Sequence, residues 1–232
     1  MPLYLTGGGE QEDFKGLDRL FLEKLPKGAG ILLVPLAVDE DEYEDALLRV
    51  EECFGGSSKV DKIELCEDVN KYSFDDLKGF DAVFLEGGNT FQLIQAVRQT
   101  SFFDNLEQFL LDGGHIYADS AGAIVLGAHV RTAFLGEDAD EDFEKLQDYR
   151  GLNLIEPYAV HCHHESSDQD SINDLMYETG TPILALAEPC GVFIEAGKLK
   201  VFGKAHLEIF TFTGMHKILV GSEVDLETVG EE

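Results

Sequence analysis

A serine set between a strand and a helix constrains the fold of this chain more than any other stretch. Residues 115–117 have the apolar character of a buried strand, and residues 123–126 read as an apolar helix. Between them, Ala118-Asp119-Ser120-Ala121-Gly122 supplies the small residues that a tight strand–helix turn needs. This is the pattern of a nucleophile elbow, although Ala118 stands where the first glycine of G-x-S-x-G is usual. Close packing alone would also explain the turn, so Ser120 is a candidate nucleophile that requires partners elsewhere.

Strands and helices alternate through the first half of the chain. Strands are predicted from apolar runs at residues 3–5, 31–35, 62–65, 82–85 and 115–117. Helices are predicted at residues 14–25, 41–54, 74–77, around 93–97, and at 102–111. This alternation is typical of a mostly parallel sheet with helices on both faces. We therefore expect a single three-layer α/β domain over residues 1–232.

The second half predicts a different kind of structure. A strand at residues 158–160 and a helix at 172–177 are followed by short strands separated by turns, at 183–186, 192–194, 199–202 and 218–220. Short connections favour antiparallel pairing, so we expect antiparallel strands added to the parallel sheet. The acidic end, residues 223–232, is expected to fray.

Composition excludes several classes of partner. The formal net charge is −29, which argues against binding to nucleic acid or to an anionic membrane. Four widely spaced cysteines without a C-x-x-C motif fit a reduced compartment better than a disulfide framework. The N-terminus has neither the basic start nor the apolar run of a signal peptide. We expect a cytoplasmic protein, a monomer or homodimer.

Three histidines near residue 160 are candidate partners for Ser120. A serine hydroxyl needs a base within hydrogen-bond reach, and usually an acid that orients the base. His161, His163 and His164 follow the strand at 158–160, and strand alternation would put His161 and His163 on one face. The same pair, with an acid such as Glu165, is an alternative set of zinc ligands.

A second glycine-rich turn, Gly87-Gly88-Asn89, closes one predicted strand and opens a helix that Asn89 or Thr90 is suited to cap. Open α/β sheets bind ligands at the carboxyl ends of their strands. A backbone N–H from this turn, together with that of Ala121, would suit a tetrahedral oxyanion. A glycine turn with a helix cap explains the stretch equally well by itself.

Taken together, the two motifs resemble the aspartyl dipeptidases (dipeptidase E), serine peptidases related to cyanophycinase with a class I glutamine amidotransferase-like fold. Residues 87–93 read G-G-N-T-F-Q-L, and residues 120–123 match the S-A-G-A elbow of that family. The resemblance extends from Leu3 to about Ile194. It implies that Ser120 is the nucleophile and that Gly88, Asn89 and Ala121 bind substrate or its oxyanion.

The rest of the implied triad depends on the alignment. The family's histidine falls on His163, with His161 as the alternative, because Cys162 replaces the proline of the family motif. Counting from the elbow to the family's aspartate lands on Leu135, which has no acid group. The loop must therefore differ in length, and Asp138 is our choice, ahead of Glu137 and Asp140.

The sequence thus predicts a serine hydrolase that cleaves small peptides and needs no cofactor or metal. Its alternatives are a binding protein that kept the fold but lost the triad, and a zinc hydrolase at His161 and His163. Strict selection of an N-terminal aspartate is doubtful, because no lysine or arginine occurs between Gly151 and Gly197 to bind the substrate carboxylate. Arg131 is the nearest cation before that stretch.

Overall fold

The structure is a computed structural model that describes residues 1–230, among which it has twelve strands and seven α-helices. The strands are β1 (Leu3–Thr6), β2 (Ala29–Val34), β3 (Val60–Leu65), β4 (Ala82–Leu85), β5 (His115–Asp119), β6 (Ala159–His161), β7 (Ile183–Leu186), β8 (Cys190–Glu195), β9 (Lys198–Gly203), β10 (Leu207–Thr211), β11 (Gly214–Ile218) and β12 (Glu223–Asp225). The helices are α1 (Gln11–Lys24), α2 (Tyr43–Val50), α3 (Phe74–Leu77), α4 (Thr90–Arg98), α5 (Phe102–Leu111), α6 (Ala121–Leu126) and α7 (Gln169–Thr179).

An eight-stranded sheet forms the centre of the molecule, in the order β12-β9-β8-β1-β5-β4-β2-β3. The five strands from β1 to β3 in this order are parallel, and β8, β9 and β12 continue the sheet as antiparallel strands. Every residue of β1, β2 and β4 is buried. Burial on both faces explains the continuous apolar runs in the sequence, and the predicted α/β class is confirmed.

Helices cover both faces of this large sheet. On one face, Phe14 and Phe21 of α1 and Val50 of α2 pack with Tyr4 and Tyr117 of the sheet. On the other face lie α3, α4, α5 and α6, which bury the alternate residues of the same strands. Since successive strand residues point to opposite faces, one apolar run supplies both cores.

A second sheet of four strands, in the order β11-β10-β7-β6, was not foreseen as a separate layer. Its strands β6 and β7 are parallel, whereas β10 pairs antiparallel with β7 and β11. One face packs on the main core through Val160, Leu184 and Leu186, and α7 covers the other. The antiparallel strands expected in the second half of the chain are therefore divided between the two sheets. The strand β10 was not predicted from the sequence.

The expectation that residues 223–232 fray is wrong for their first part. Glu223, Val224 and Asp225 form β12, which pairs with β9 at the edge of the large sheet. Leu226, directly after it, is buried and anchors the segment to the core. Residues 231–232 lie outside the described part of the chain. Within residues 1–230, no helix has the length and apolar character needed to cross a membrane.

Candidate active site

Ser120 lies in a sharp turn between β5 and α6. Its backbone has φ 44° and ψ −107°, a conformation that non-glycine residues rarely adopt. Its N–H donates to the carbonyl of Thr6 at 3.1 Å, which ties the turn to β1. Gly122 is required here, because a Cβ at that position would lie 2.3 Å from the carbonyl oxygen of Leu85. The elbow geometry predicted from the sequence is therefore present.

His163 reaches Ser120 from the small sheet. The Ser120 hydroxyl donates to Nε2 of His163 at 2.7 Å. The strand β6 ends at His161, and His163 has φ 53°, so the segment is no longer extended there. The strand alternation assumed for residues 161–164 is therefore wrong, and His161 and His163 do not share a face. The N–H of His163 donates to the carbonyl of Gly7 at 3.1 Å.

The three glycines after β1 make room for this histidine and for the loop after β7. A Cβ on Gly8, whose φ is +97°, would lie 2.3 Å from Cε1 of His163. A Cβ on Gly7 would lie 2.2 Å from the carbonyl oxygen of Ala187, and one on Gly9 would lie 2.6 Å from that of Glu188. The glycine run is thus a packing requirement of the site.

Glu188 is the carboxylate that contacts the other side of the imidazole. Nδ1 of His163 donates to its Oε1 at 3.4 Å. Asp138 is exposed, and one of its carboxylate oxygens lies within 4.8 Å of a ring nitrogen of His163 and of a Glu188 oxygen. Within residues 1–230, Asp138 makes no hydrogen bond to His163. Two carboxylates therefore approach His163, and the one bonded to it is a residue that the sequence reasoning did not consider.

Within residues 1–230, the other candidate acids make no hydrogen bond to His163, although Asp140 lines the same small cavity as His163. Asp140 accepts the backbone N–H of Thr90 at 2.9 Å and so caps α4, and burial raises the pKa of its carboxyl. Glu137 is exposed, and Leu135 packs against the small-sheet core.

The backbone N–H groups considered as oxyanion donors differ in whether they already have a hydrogen-bond acceptor. The N–H groups of Gly88 and Ala121 donate to no acceptor among residues 1–230. A Cβ on Gly87 would lie 3.4 Å from Cβ of Ser120, so this turn lies against the serine. Asn89, in contrast, donates its N–H to Ala37 at 2.7 Å and accepts two helix N–H groups as the predicted cap of α4. Asn89 holds the turn in place and has no free backbone donor.

His161 belongs to a separate, buried cluster with His164 and Asp168. Burial lowers the pKa of His161 to about 4. Its Nε2 lies 3.4 Å from Asp168 Oδ2 and not beside Ser120. The zinc set suggested by the sequence, His161 with His163 and Glu165, is therefore not assembled in the described chain.

One cavity is lined by Ser120, and a larger one reaches the neighbouring residues Asp119 and Glu188. A cavity of about 40 Å³ is lined by Gly88, Ser120 and His163, among others. A larger one, of about 430 Å³, lies between α1, α2 and the carboxyl ends of β1, β4 and β5. Its lining includes the acidic side chains of Glu10, Asp18, Glu52, Glu86, Asp119 and Glu188.

Burial perturbs several acids of the larger cavity. It raises the pKa of Glu86 to about 7 and that of Asp18 to about 6, and it also raises the pKa of Asp119, which accepts the hydroxyl of Thr6. Among the described residues that line the cavity, Arg49 is the only cation, and it pairs with Glu86 at 3.1 Å. Arg131 lines neither cavity and pairs with Glu178 at 2.8 Å.

The sequence profile of peptidase family S51 matches residues 3–202. The chain belongs to peptidase family S51. Two relatives in this family are peptidase E of Nostoc sp., 24% identical over 193 residues (78% of this chain and 76% of the relative), and a probable alpha-aspartyl dipeptidase of Drosophila melanogaster, 24% identical over 224 residues (90% and 87%). The S51 member described here is therefore a serine-type peptidase, and the resemblance drawn from the two motifs is confirmed.

A solved peptidase structure has the same fold. The crystal structure of a peptidase from an acI-B1 Actinobacterium superposes with a TM-score of 0.73, covering 97% of this chain and 96% of that one at 18% identity. At such low identity the similarity concerns the fold alone.

Proposed function

We propose that this S51 peptidase cleaves small peptides by acyl transfer to Ser120, with His163 as general base. The observation that carries the proposal is the 2.7 Å hydrogen bond from Ser120 Oγ to His163 Nε2. His163 would take the hydroxyl proton as Oγ attacks the scissile carbonyl, and return it to the leaving amine. A water molecule would then hydrolyse the acyl-enzyme by the same route.

Glu188 is the proposed orienting acid. Its carboxylate accepts from His163 Nδ1 at 3.4 Å, which fixes the tautomer that leaves Nε2 free to accept the serine proton. Hydrogen bonds of this kind are often long in unliganded enzymes. Asp138, the acid chosen from the sequence, is the second proposed carboxylate, and its charge near His163 would stabilise the imidazolium. The geometry favours Glu188 over Asp138 because Glu188 makes the hydrogen bond.

Gly88 and Ala121 are the proposed oxyanion donors. Both N–H groups have no acceptor within residues 1–230; Ala121 directly follows Ser120, and Gly88 lines the small cavity with it. Donors that are already oriented stabilise the developing negative charge without reorganisation during the reaction.

For the substrate, we propose peptides whose first residue is neutral or basic. The 430 Å³ cavity reaches Glu188 and Asp119, next to the reacting groups, and its lining is acidic. An aspartate side chain entering it would meet six acids and one arginine that is already paired with Glu86. Electrostatic repulsion therefore opposes an anionic substrate there, in line with the net charge of the whole chain.

The test is labelling with a fluorophosphonate probe, which reacts only with an activated serine. We expect the wild-type protein to label and to hydrolyse dipeptides, and Ser120→Ala to lose both, with turnover falling by about 10³-fold or more. Ser101→Ala, at an exposed serine, is the matched control. Labelling of Ser120→Ala equal to wild type would exclude the proposed nucleophile. A wild-type protein that neither labels nor turns over would support the non-catalytic alternative.

A further inference from the structure

A buried cluster of three metal-ligating side chains lies behind the catalytic histidine. His161, His164 and Asp168 are 2%, 8% and 6% exposed. One ligand atom from each lies within 4.8 Å of the other two. His161 ends β6, and Asp168 lies at the start of α7. The cluster is thus built from the segment on which His163 lies, but His163 is not part of it.

The inward atoms of the cluster are two imidazole nitrogens and one carboxylate oxygen. Nε2 of His161 lies 3.4 Å from Oδ2 of Asp168, and Nδ1 of His164 lies 3.6 Å from the same oxygen. Nδ1 of His164 is buried and has no hydrogen-bond partner in residues 1–230. Asp168 Oδ2 accepts the N–H of Glu165 at 2.7 Å, so that oxygen already has one donor.

Each ring has an outer acceptor that suits the tautomer needed for zinc binding. Nδ1 of His161 faces the carbonyl of Thr132 at 3.3 Å, and Nε2 of His164 faces the Glu208 carboxylate at 3.1 Å. Because the Glu208 carboxylate can only accept, Nε2 of His164 is its N–H group and the inward Nδ1 carries a lone pair. Both partners of His161 are acceptors, and zinc binding requires the tautomer in which Nδ1 donates to Thr132 and Nε2 carries the lone pair. Metal-ligating histidines characteristically donate their other N–H to a carboxylate or a backbone carbonyl in this way.

We propose that His161, His164 and Asp168 bind one Zn²⁺ ion. Ligand atoms about 2.1 Å from a tetrahedral zinc lie about 3.4 Å apart. The nitrogen–oxygen distances of 3.4 and 3.6 Å agree with this spacing. The buried Nδ1 of His164 has no hydrogen-bond donor beside it, and Asp168 is a buried carboxylate, so a divalent cation would satisfy both groups. Two imidazoles and one carboxylate are ligands that suit zinc.

This site is distinct from the proposed catalytic apparatus and does not depend on it. The zinc would link β6 to the start of α7 and, through Glu208, to β10. His163 lies between two of the ligands in sequence, so the ion would hold the segment that presents its imidazole to Ser120. The sequence analysis expected no metal; the zinc proposed here departs from that expectation in a structural role, away from Ser120.

The experiment is a zinc titration of the metal-stripped, full-length protein, with stoichiometry from elemental analysis and melting temperature as a second readout. We expect one zinc per chain, a higher melting temperature with zinc, and a visible spectrum of tetrahedral type when Co²⁺ is substituted. Asp168→Asn and His164→Gln should weaken zinc binding by roughly a hundredfold or more. Glu208→Gln, which alters an outer partner only, should weaken it by about ten- to a hundredfold.

The controls separate this site from the other histidines. His206→Gln, at an exposed histidine, and Glu188→Gln should bind zinc as the wild type does. The proposal fails if the wild type binds no stoichiometric zinc, or if Asp168→Asn binds it equally well. Loss of zinc in Glu188→Gln would instead place the ion at His163, Glu188 and Asp138. If Asp168→Asn does not fold, the proposal is tested by the weaker zinc binding expected of Glu208→Gln and by the Co²⁺ spectrum of the wild type. Unchanged zinc binding in Glu208→Gln together with a non-tetrahedral Co²⁺ spectrum would then contradict it.

Discussion

The imidazole of His163 occupies the space that a side chain on Gly8 would fill, since a Cβ on Gly8 would lie 2.3 Å from its Cε1. The residue that positions the proposed base is therefore a glycine of the first strand–helix connection, more than 150 positions earlier in the chain.

Gly8→Ala should impair catalysis without unfolding the protein. The added methyl group would push the imidazole away from Ser120, and φ +97° at this position strains any L-residue. We expect kcat/KM to fall by roughly 10²-fold, because small misplacements of a catalytic group are costly. Steady-state kinetics and circular dichroism measure the two effects. Gly56→Ala, where a Cβ meets nothing within 4 Å, is the control, and wild-type activity in Gly8→Ala would contradict the prediction.

His163 and His161, the two bases considered from the sequence, should behave differently when replaced. His163→Ala should match the defect of Ser120→Ala while the protein keeps its melting temperature, because His163 is partly exposed and bonded to the serine. His161→Ala should retain more activity and lose more stability, because it leaves a cavity and unpaired groups in a buried cluster. Kinetics and thermal unfolding of both variants test this. The reverse ranking of activities would identify His161 as the base.

The acids around His163 should rank by their contact with it. Glu188→Gln should lower kcat/KM by roughly 10- to 10³-fold, because the amide no longer stabilises the imidazolium. Asp138→Asn should cost less, and Glu137→Gln, at an exposed neighbour, should cost least. The comparison requires only kcat/KM on one dipeptide. A larger loss of kcat/KM in Asp138→Asn than in Glu188→Gln would identify Asp138, the residue chosen from the sequence, as the orienting acid.

Substrate charge should affect turnover in the direction set by the acidic cavity. We expect Ala-Leu and Arg-Leu to be cleaved at least as well as Asp-Leu when kcat/KM is compared at fixed ionic strength. A preference of about tenfold or more for Asp-Leu, about 1.4 kcal/mol, would contradict this. In that case Arg49 is the cation to examine, and Arg49→Gln should then abolish the preference, whereas Arg131→Gln should not.

Stability should fall as pH rises through the titration of Glu86. Burial raises the pKa of this carboxyl from 4.5 to about 7, so between these values the folded chain binds more protons than the unfolded chain. The free energy of unfolding therefore decreases with pH across that window, by up to about 3 kcal/mol from this group. The free energy of unfolding, measured in urea at pH 4.5 and pH 8, should therefore depend less on pH in Glu86→Gln than in the wild type. Glu44→Gln, on the exposed face of α2, should show the pH dependence of the wild type. An equal pH dependence in Glu86→Gln and the wild type would show that Glu86 is not its source.

Much of the fold follows from local patterns, and the exceptions have identifiable causes. Apolar runs such as that of β2 and the spacing of α5 predict their elements because burial requires those residue types. The sequence does not show which strands share a sheet, since β8 joins β1 of the large sheet and β7 joins β10 of the small one. Strand pairing depends on contacts between distant segments, which periodicity does not report.

The residues of the candidate site also fall into two groups: those recognisable from local sequence motifs and those brought together by tertiary packing. Ser120 and the Gly88 turn lie in short motifs with local chemical reasons, and both are recognisable in the sequence. Glu188 was missed because its relation to His163 arises from the packing of the loop after β7 against Gly7 and Gly9. The available signal was an acid two residues after a predicted strand. The count from the elbow led instead to Asp138, which lies nearby but unbonded.

The proposed nucleophile and base come from different sheets. Ser120 follows β5 of the large sheet, whereas His163 and Glu188 follow β6 and β7 of the small one. The N–H of His163 donates to Gly7, after β1, and that of His164 donates to Leu186 in β7, so two adjacent amides span the junction between the sheets. The distance from Ser120 to His163 therefore depends on the relative position of the two sheets. We therefore expect any event that loosens this junction to impair the proposed catalysis while both sheets remain intact.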